Sequence, residues 1–190
     1  AHAPFDWTLH PGTRYLASYL QEAGWSTHHV GVQHVAHDTP AHALGLGFDT
    51  HDASHALAPE VAEHAVRRVH DAVGPFFLNV GFFEPHRHED GRYGVHPPYT
   101  ARGVDVPAYL PDVPDVREEM AALQGAIHAL DQGVARILEA LEARADAADT
   151  WIVFTTDHGL ALPRAKASMY DPGLGVALVM RWPSEGLTGG

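Results

Sequence analysis

The sequence predicts an α/β domain: a largely parallel, mixed sheet with helices on both faces. Three observations predict it. Strand-length apolar runs at residues 25–32, 76–82, 151–155 and 175–181 alternate with segments whose apolar residues recur every third or fourth position. The runs at 76–82 and 151–155 are apolar without alternation, as a strand covered on both faces requires. The length of 190 residues, 45% of them hydrophobic, suits one domain or part of a larger one with material for a sizeable core.

Each element has its own warrant. Residues 1–12 read as an irregular entry. Leu16, Tyr19, Leu20 and Ala23 have helical spacing, and Gly24 stops that helix. The first strand follows, ending near Gly31. Residues 35–57 are rich in His, Gly, Asp and Pro and are predicted to be loop. Pro59 suits the first turn of a helix carried by Ala62, Val66, Val69 and Val73, and Gly74-Pro75 breaks it. The strand at 76–82 comes next. Residues 84–114 form a long Pro-, Gly- and His-rich loop, and long loops in compact domains are often functional. Asp115 and Glu118 have the spacing of a capping box. Behind them Met120, Leu123, Ile127, Leu130, Val134, Ile137 and Leu141 mark a long amphipathic helix to about Arg144, whose stripe is core packing. Two further strands, 151–155 and 175–181, close the series.

Composition excludes several functions. There are 12 Lys+Arg against 24 Asp+Glu, a formal charge of −12, and no basic stripe, which argues against nucleic-acid binding. No run approaches the ~18 apolar residues of a membrane span, and no basic segment followed by an apolar one marks a signal peptide. The absence of Cys removes disulfides, thiolate metal sites and a cysteine nucleophile. The 16 His make the charge fall in magnitude as pH drops through roughly 6.5.

In parallel sheets ligands sit beyond the carboxyl ends of the strands, so each exit matters. The first leads to Gly31-Val32-Gln33-His34. The second leads to Glu84-Pro85-His86-Arg87-His88. The third leads to Asp157-His158-Gly159, with Lys166, the only lysine, shortly after. Asp157 and His158 could both reach a divalent cation: an oxygen-rich shell suits Ca²⁺ or Mg²⁺, more nitrogen suits Zn²⁺ or Mn²⁺. Spacing alone equally allows a capping Asp and a surface His. His86, oriented by Pro85, and His34 are suited to donate to an anionic oxygen or protonate a leaving group, or are exposed loop histidines. Lys166 is suited to a tetrahedral anion, or is simply solvated.

Taken together these motifs resemble the sulfatases of the alkaline phosphatase superfamily, most of all the heparan N-sulfatase (sulfamidase) branch. The likeness runs from about Phe5 to Pro183. Leu20 to Thr27 with Gly31-Val32-Gln33-His34-Val35 is similar to the family's glycine-lysine-x-histidine stretch and its approach. Gly74-Pro75-Phe76-Phe77-Leu78 through Phe83-Glu84-Pro85-His86-Arg87 resembles a strand ending in an acidic-proline-histidine-arginine turn. Residues 109–114 and 130–134 match the same branch. Residues 150–159, ending in Asp157-His158-Gly159, are the most specific motif, and Lys166 and Tyr170-Asp171-Pro172-Gly173 follow at family-like spacing.

The resemblance implies roles. Asp157 and His158 would ligate the active-site cation, Ca²⁺ by family habit, with Mg²⁺, Mn²⁺ or Zn²⁺ as alternatives. His34 and His86 would contact the sulfate or the leaving group as catalytic side chains, and Lys166 would hold a sulfate oxygen. The substrate would be a sulfated saccharide or another sulfate ester, cleaved at an ester or N-sulfate bond by a formylglycine nucleophile. Two departures stand out. Val32 occupies the family's lysine position. The Cys/Ser-x-Pro-x-Arg motif that yields formylglycine is absent from these residues, as is the early Asp-Asp pair. The expectation is therefore a partial sulfatase catalytic domain over residues 1–190, incomplete at its N-terminus and without the C-terminal subdomain, and inactive by itself. A phosphodiesterase or phosphonate hydrolase of the same superfamily, and a non-catalytic metal- or anion-binding fragment, are the alternatives. An incomplete sheet would expose an edge, which makes homo-oligomers an expectation too.

Overall fold

The structure is a computed structural model that describes residues 12–35, 40–54, 56–88, 90–93 and 95–188; the irregular entry expected at the N-terminus lies almost wholly outside them. Helix α1 (Leu16–Glu22) leads into strand β1 (Ser26–Gly31). Residues 35–57 are not simply loop, because they carry α2 (Pro40–Gly45) and a three-residue strand β2 (Thr50–Asp52). β2 is polar throughout, so its pairing to β1, rather than any apolar pattern, makes it a strand. Then come α3 (Ala58–Asp71), β3 (Phe76–Gly81), α4 (Pro114–Glu142), β4 (Ile152–Thr155), a single-turn α5 (Asp171–Leu174) and β5 (Leu178–Arg181). No helix among the described residues is long and apolar enough to cross a membrane.

The strands form a parallel sheet in the order β2-β1-β3 and a separate antiparallel pair, β4-β5. The α/β class with a mixed, largely parallel sheet holds, with both antiparallel strands in that second pair. Side-chain alternation explains the layers. Phe76, Leu78 and Val80 on β3 face α3 and α4, joining Ala62, Ala65, Val69, Ile137, Ala140 and Leu141. Phe77 points the other way, to Ala17 of α1, Leu46 and Phe48. Helices thus cover both faces, as predicted.

Two details of α4 differ from expectation. Its N-cap is Val113 with no side-chain cap bond, so the capping box at Asp115 and Glu118 does not form; Pro114 starts the helix, its missing N–H costing nothing there. Ile127, on the predicted stripe, is exposed. Gly125 and Ala126 are buried instead, because the Pro97 carbonyl comes so close that a Cβ on Gly125 would lie 2.3 Å from it. Met120, Leu123, Leu130, Ile137 and Leu141 are buried as expected.

The largest departure is at β4 and β5. β4, predicted to be covered on both faces, is half open, and so is its partner β5: Val153 is 48% exposed and Leu178 61%. The cause is local. β4 packs on the α3–α4 layer through Ile152, and among the described residues it pairs only with β5.

Candidate functional site

The exits of β1 and β3 lie side by side. Gly31 pairs with Gly81, and the Val32 amide donates to the Gly81 carbonyl at 2.8 Å. The two backbones are so close that a Cβ on Gly31 would sit 2.0 Å from the Gly81 oxygen, and one on Gly81 1.8 Å from the Val32 oxygen. Gly31 also has φ near +89°, a region that glycine enters without penalty. This pairing brings the segment leading to His34 next to the turn carrying Glu84 to His88.

Within that turn Glu84 is buried. Its carboxylate accepts the Ala58 amide at the N-terminus of α3 at 3.0 and 2.9 Å, and His96 Nε2 donates to it at 2.7 Å. An anion at a helix N-terminus satisfies an otherwise unpaired N–H and complements the helix dipole. Beyond the cis Glu84–Pro85 peptide, the His86 amide donates to the Phe83 carbonyl at 2.8 Å. His86 Nδ1 donates to the Arg87 carbonyl at 2.5 Å, which leaves Nε2 as the acceptor. Lys166 Nζ donates to that nitrogen at 3.1 Å. The contact joins the exits of β3 and β4, from residues far apart in sequence.

Lys166 stands on a tightly folded loop. Its amide donates to the Leu160 carbonyl at 2.8 Å, and the adjacent Ala165 is fully buried. Arg164 and Ala167 hold φ at 61° and 62°, left-handed conformations that cost a non-glycine residue about 1–2 kcal/mol each. Such strain persists only where the surroundings fix it.

At the exit of β4, His158 Nδ1 donates to the Gly159 carbonyl at 2.8 Å, and its Nε2 is 3.4 Å from Asp157 Oδ2. With Nδ1 holding the proton, Nε2 and the carboxylate present two lone-pair donors at about the spacing of neighbouring ligands on one cation. This is a pair: among the described residues no group of three or more His, Cys, Asp or Glu is placed to hold a metal ion. Gly159 permits the turn, since a Cβ there would lie 1.8 Å from the Pro172 oxygen.

The structure thus brings together His86 with Lys166, and Asp157 with His158. His34 lies exposed just past the exit of β1, and Val32 follows β1 directly with a partly buried side chain. Sequence reasoning missed Glu84 and His96 as a pair, because the amide that Glu84 caps belongs to Ala58, a long way back along the chain. It also missed Asp52 at the exit of β2. There burial would raise the carboxyl pKa, but hydrogen bonds from Ser54 and His64 outweigh burial and hold it down to about 2.

Known proteins resemble this chain in sequence and fold. The sulfatase family profile matches residues 2–188. Human N-sulphoglucosamine sulphohydrolase is 31% identical over 132 residues, which is 58% of this chain and 26% of that protein. An ulvan-active sulfatase of Formosa agariphila is 28% identical over 150 residues, 78% of this chain and 25% of that protein. A solved 2-O GAG sulfatase superposes with a TM-score of 0.65 at 19% identity, covering 91% of this chain and 48% of its own, a likeness of fold. The chain spans about a quarter of the length of these two curated relatives. With the family profile covering nearly every residue from end to end, this chain belongs to the sulfatase family.

Proposed function

We propose that this chain supplies the anion-binding and metal-binding side of a metal-dependent sulfatase acting on a sulfated saccharide, at an ester or N-sulfate bond. The observation that carries the proposal is the 3.1 Å contact between Lys166 Nζ and His86 Nε2. It puts an ammonium and an imidazole nitrogen on one point in front of two strand exits. A sulfate oxygen entering there accepts from Lys166. His86, with Nδ1 committed to the Arg87 carbonyl, turns Nε2 toward the same anion. In its protonated form Nε2 donates to the departing nitrogen or oxygen of the sugar. His34, on the neighbouring exit, is the second candidate for that contact.

Asp157 and His158 would hold the divalent cation, with Ca²⁺ the first choice and Mg²⁺, Mn²⁺ or Zn²⁺ the alternatives. A bound cation there stabilises charge on the sulfate oxygens. Val32 puts a branched apolar side chain where the family carries a lysine, so Lys166 bears more of the anion's charge. The 190 residues contain no Cys and no Ser-x-Pro-x-Arg motif, and a formylglycine nucleophile would have to come from outside them. These residues by themselves should therefore bind sulfate and not hydrolyse it.

Titration of the chain with sodium sulfate tests this, with the His86 imidazole and Lys166 ammonium resonances followed by NMR. The expected result is a saturable shift of both, weakened roughly tenfold or more in Lys166→Met, since a charged hydrogen bond to an anion carries about 1.5–3 kcal/mol. Shifts that do not saturate, or that survive Lys166→Met unchanged, would overturn it. Calorimetry with Ca²⁺ tests the cation pair: binding that vanishes in Asp157→Ala is expected, and binding indifferent to that change removes Asp157 as a ligand.

A further inference from the structure

Arg87 follows His86 directly, yet its side chain turns away from the His86–Lys166 contact. Each of its three guanidinium nitrogens has a partner. Nε donates to the Ala161 carbonyl at 3.0 Å, Nη1 donates to the Gly91 carbonyl at 2.6 Å, and Nη2 forms an ion pair with Glu119 of α4. Its carbon lies 4.6 Å from the centre of the Tyr93 ring, and Tyr93 is itself buried. One side chain therefore ties together the turn after β3, the loop at residues 90–93, helix α4 and the loop after β4.

Two contacts of Arg87, one from its side chain and one from its main chain, bear on the anion site. Ala161 lies in the loop that carries Lys166, next to Leu160, whose carbonyl accepts the Lys166 amide. The backbone carbonyl of Arg87 accepts the proton of His86 Nδ1. So the residue that orients His86 through its main chain also anchors the Lys166 loop through its side chain. That loop needs an anchor, because Arg164 and Ala167 sit in left-handed conformations and would relax if released. A lysine cannot substitute. The contacts use three edges of a planar fork and its face, and an ammonium is a point charge.

We propose that Arg87 is the positioning residue of the anion site. It holds His86 in its Nδ1–H tautomer, and it keeps Lys166 within hydrogen-bond reach of His86 Nε2. The inference rests on His86 and Lys166 forming that site, but its test does not need sulfate.

The test uses the chain labelled with ¹⁵N-histidine. Imidazole nitrogen shifts report the tautomer, while a thermal melt and the amide spectrum report folding. The expected result is an Nδ1–H signature for His86 in the native chain. In Arg87→Ala and Arg87→Lys it shifts toward the Nε2–H form that an unconstrained histidine side chain prefers. Guanidinium ion, at concentrations below those that unfold the chain, restores the signature in Arg87→Ala but not in Arg87→Lys, where the lysine fills the space. Sulfate affinity falls roughly 10-fold in the same variants, the scale on which orienting partners act. If Arg87→Ala does not fold, Glu119→Gln serves instead. It removes one anchor of the guanidinium, and the tautomer signature should shift in the same direction by less.

A folded variant whose His86 tautomer is unchanged overturns the proposal, whatever sulfate does. A native chain that binds no sulfate overturns the function proposed above. The tautomer experiment then still decides whether Arg87 holds the pair.

Discussion

Around β1 and β3 a side chain on either face of the sheet meets a helix. Val80 and Leu78 meet α3 and α4, and Phe77 meets the α1 layer. Around β4 and β5 Ile152 meets the α3–α4 layer, but on the opposite face Val153 is 48% exposed and Leu178, on the next strand, 61%. Both regions are rich in β-branched and aromatic residues. What separates them is the number of layers each has to pack against, and the candidate site straddles the boundary. His86 comes from the closed region and Lys166 from the open one. The closed region should therefore govern global stability. The open region should govern only where Lys166 stands.

The largest expected effect tests this with matched glycines. Gly31→Ala forces a Cβ to within 2.0 Å of the Gly81 oxygen at φ +89°, between two paired strands that cannot separate without breaking the sheet. The expected cost is about 4 kcal/mol or more, enough to lose the fold in a thermal melt. Gly159→Ala creates an even closer contact, 1.8 Å from the Pro172 oxygen, but between a loop and the single-turn helix α5. Its expected outcome is a moved Lys166 and a lost His86 contact, with slow amide exchange in α3, α4 and β3 preserved. If Gly159→Ala unfolds the chain as completely as Gly31→Ala does, the division into two regions is wrong.

Next in size is Glu84→Ala. It leaves the Ala58 amide and His96 Nε2 without their acceptor inside the closed region. Removing a buried, fully bonded carboxylate should cost about 3 kcal/mol in chemical denaturation. Glu84→Gln should recover part of that, because the amide oxygen still accepts. A cost below 1 kcal/mol for the Ala variant would show that water replaces the carboxylate, contrary to its burial.

These residues also show how far sequence pattern reaches. β1, α3, β3 and α4 were legible because period and burial largely coincide there: Ala62 and Val69 are buried at the expected helical spacing and Val66 packs against them, while Val73, 89% exposed, lies past the end of α3. β2 was not legible, since Thr50, His51 and Asp52 carry no apolar signal and become a strand only by pairing with β1. The openness of β4 and β5 was not legible either, because an apolar run states what a strand can bury and says nothing of whether a layer is present. At the site, Asp157, His158, His86, Lys166 and His34 could be nominated from their place at strand exits. The Lys166–His86 contact and the grip of Arg87 could not, because both depend on how a loop after β4 folds back across the turn after β3.

A smaller effect, confined to acid, comes from Asp52. Burial opposes its ionisation, but hydrogen bonds from Ser54 and His64 hold its pKa at about 2, below the ordinary 3.8. A depressed carboxyl stabilises the fold above the unfolded value, and that stabilisation is lost as pH falls from about 4 to about 2. Allowing for solvent screening, Asp52→Asn should cost about 1–2 kcal/mol at pH 7. At pH 2 it should cost almost nothing, as urea melts at the two pH values would show. An equal penalty at both would mean that the hydrogen bonds do not depend on the charge. The side chain lies at the exit of β2, within the closed region, so the loss should appear in global unfolding.

The smallest effect is the sharpest test of the open face. Val153→Thr exchanges a methyl for a hydroxyl of nearly the same size. In a buried site that exchange leaves a hydroxyl to desolvate and costs about 1–3 kcal/mol. On β4, with half of Val153 already in water, the expected change is below about 0.5 kcal/mol, and the backbone pairing of Val153 with Met180 is untouched. The measurement is a melt repeated across a range of protein concentrations. A cost above 1 kcal/mol that is constant with dilution would mean that other parts of this same chain cover the face. A cost that grows with protein concentration would mean that a second copy covers it, because only then does the mutation act on an association equilibrium. A near-zero cost at every concentration leaves the face in solvent. The fold would then rest on the closed region, with β4 and β5 serving to carry Asp157, His158 and the loop of Lys166 up to His86.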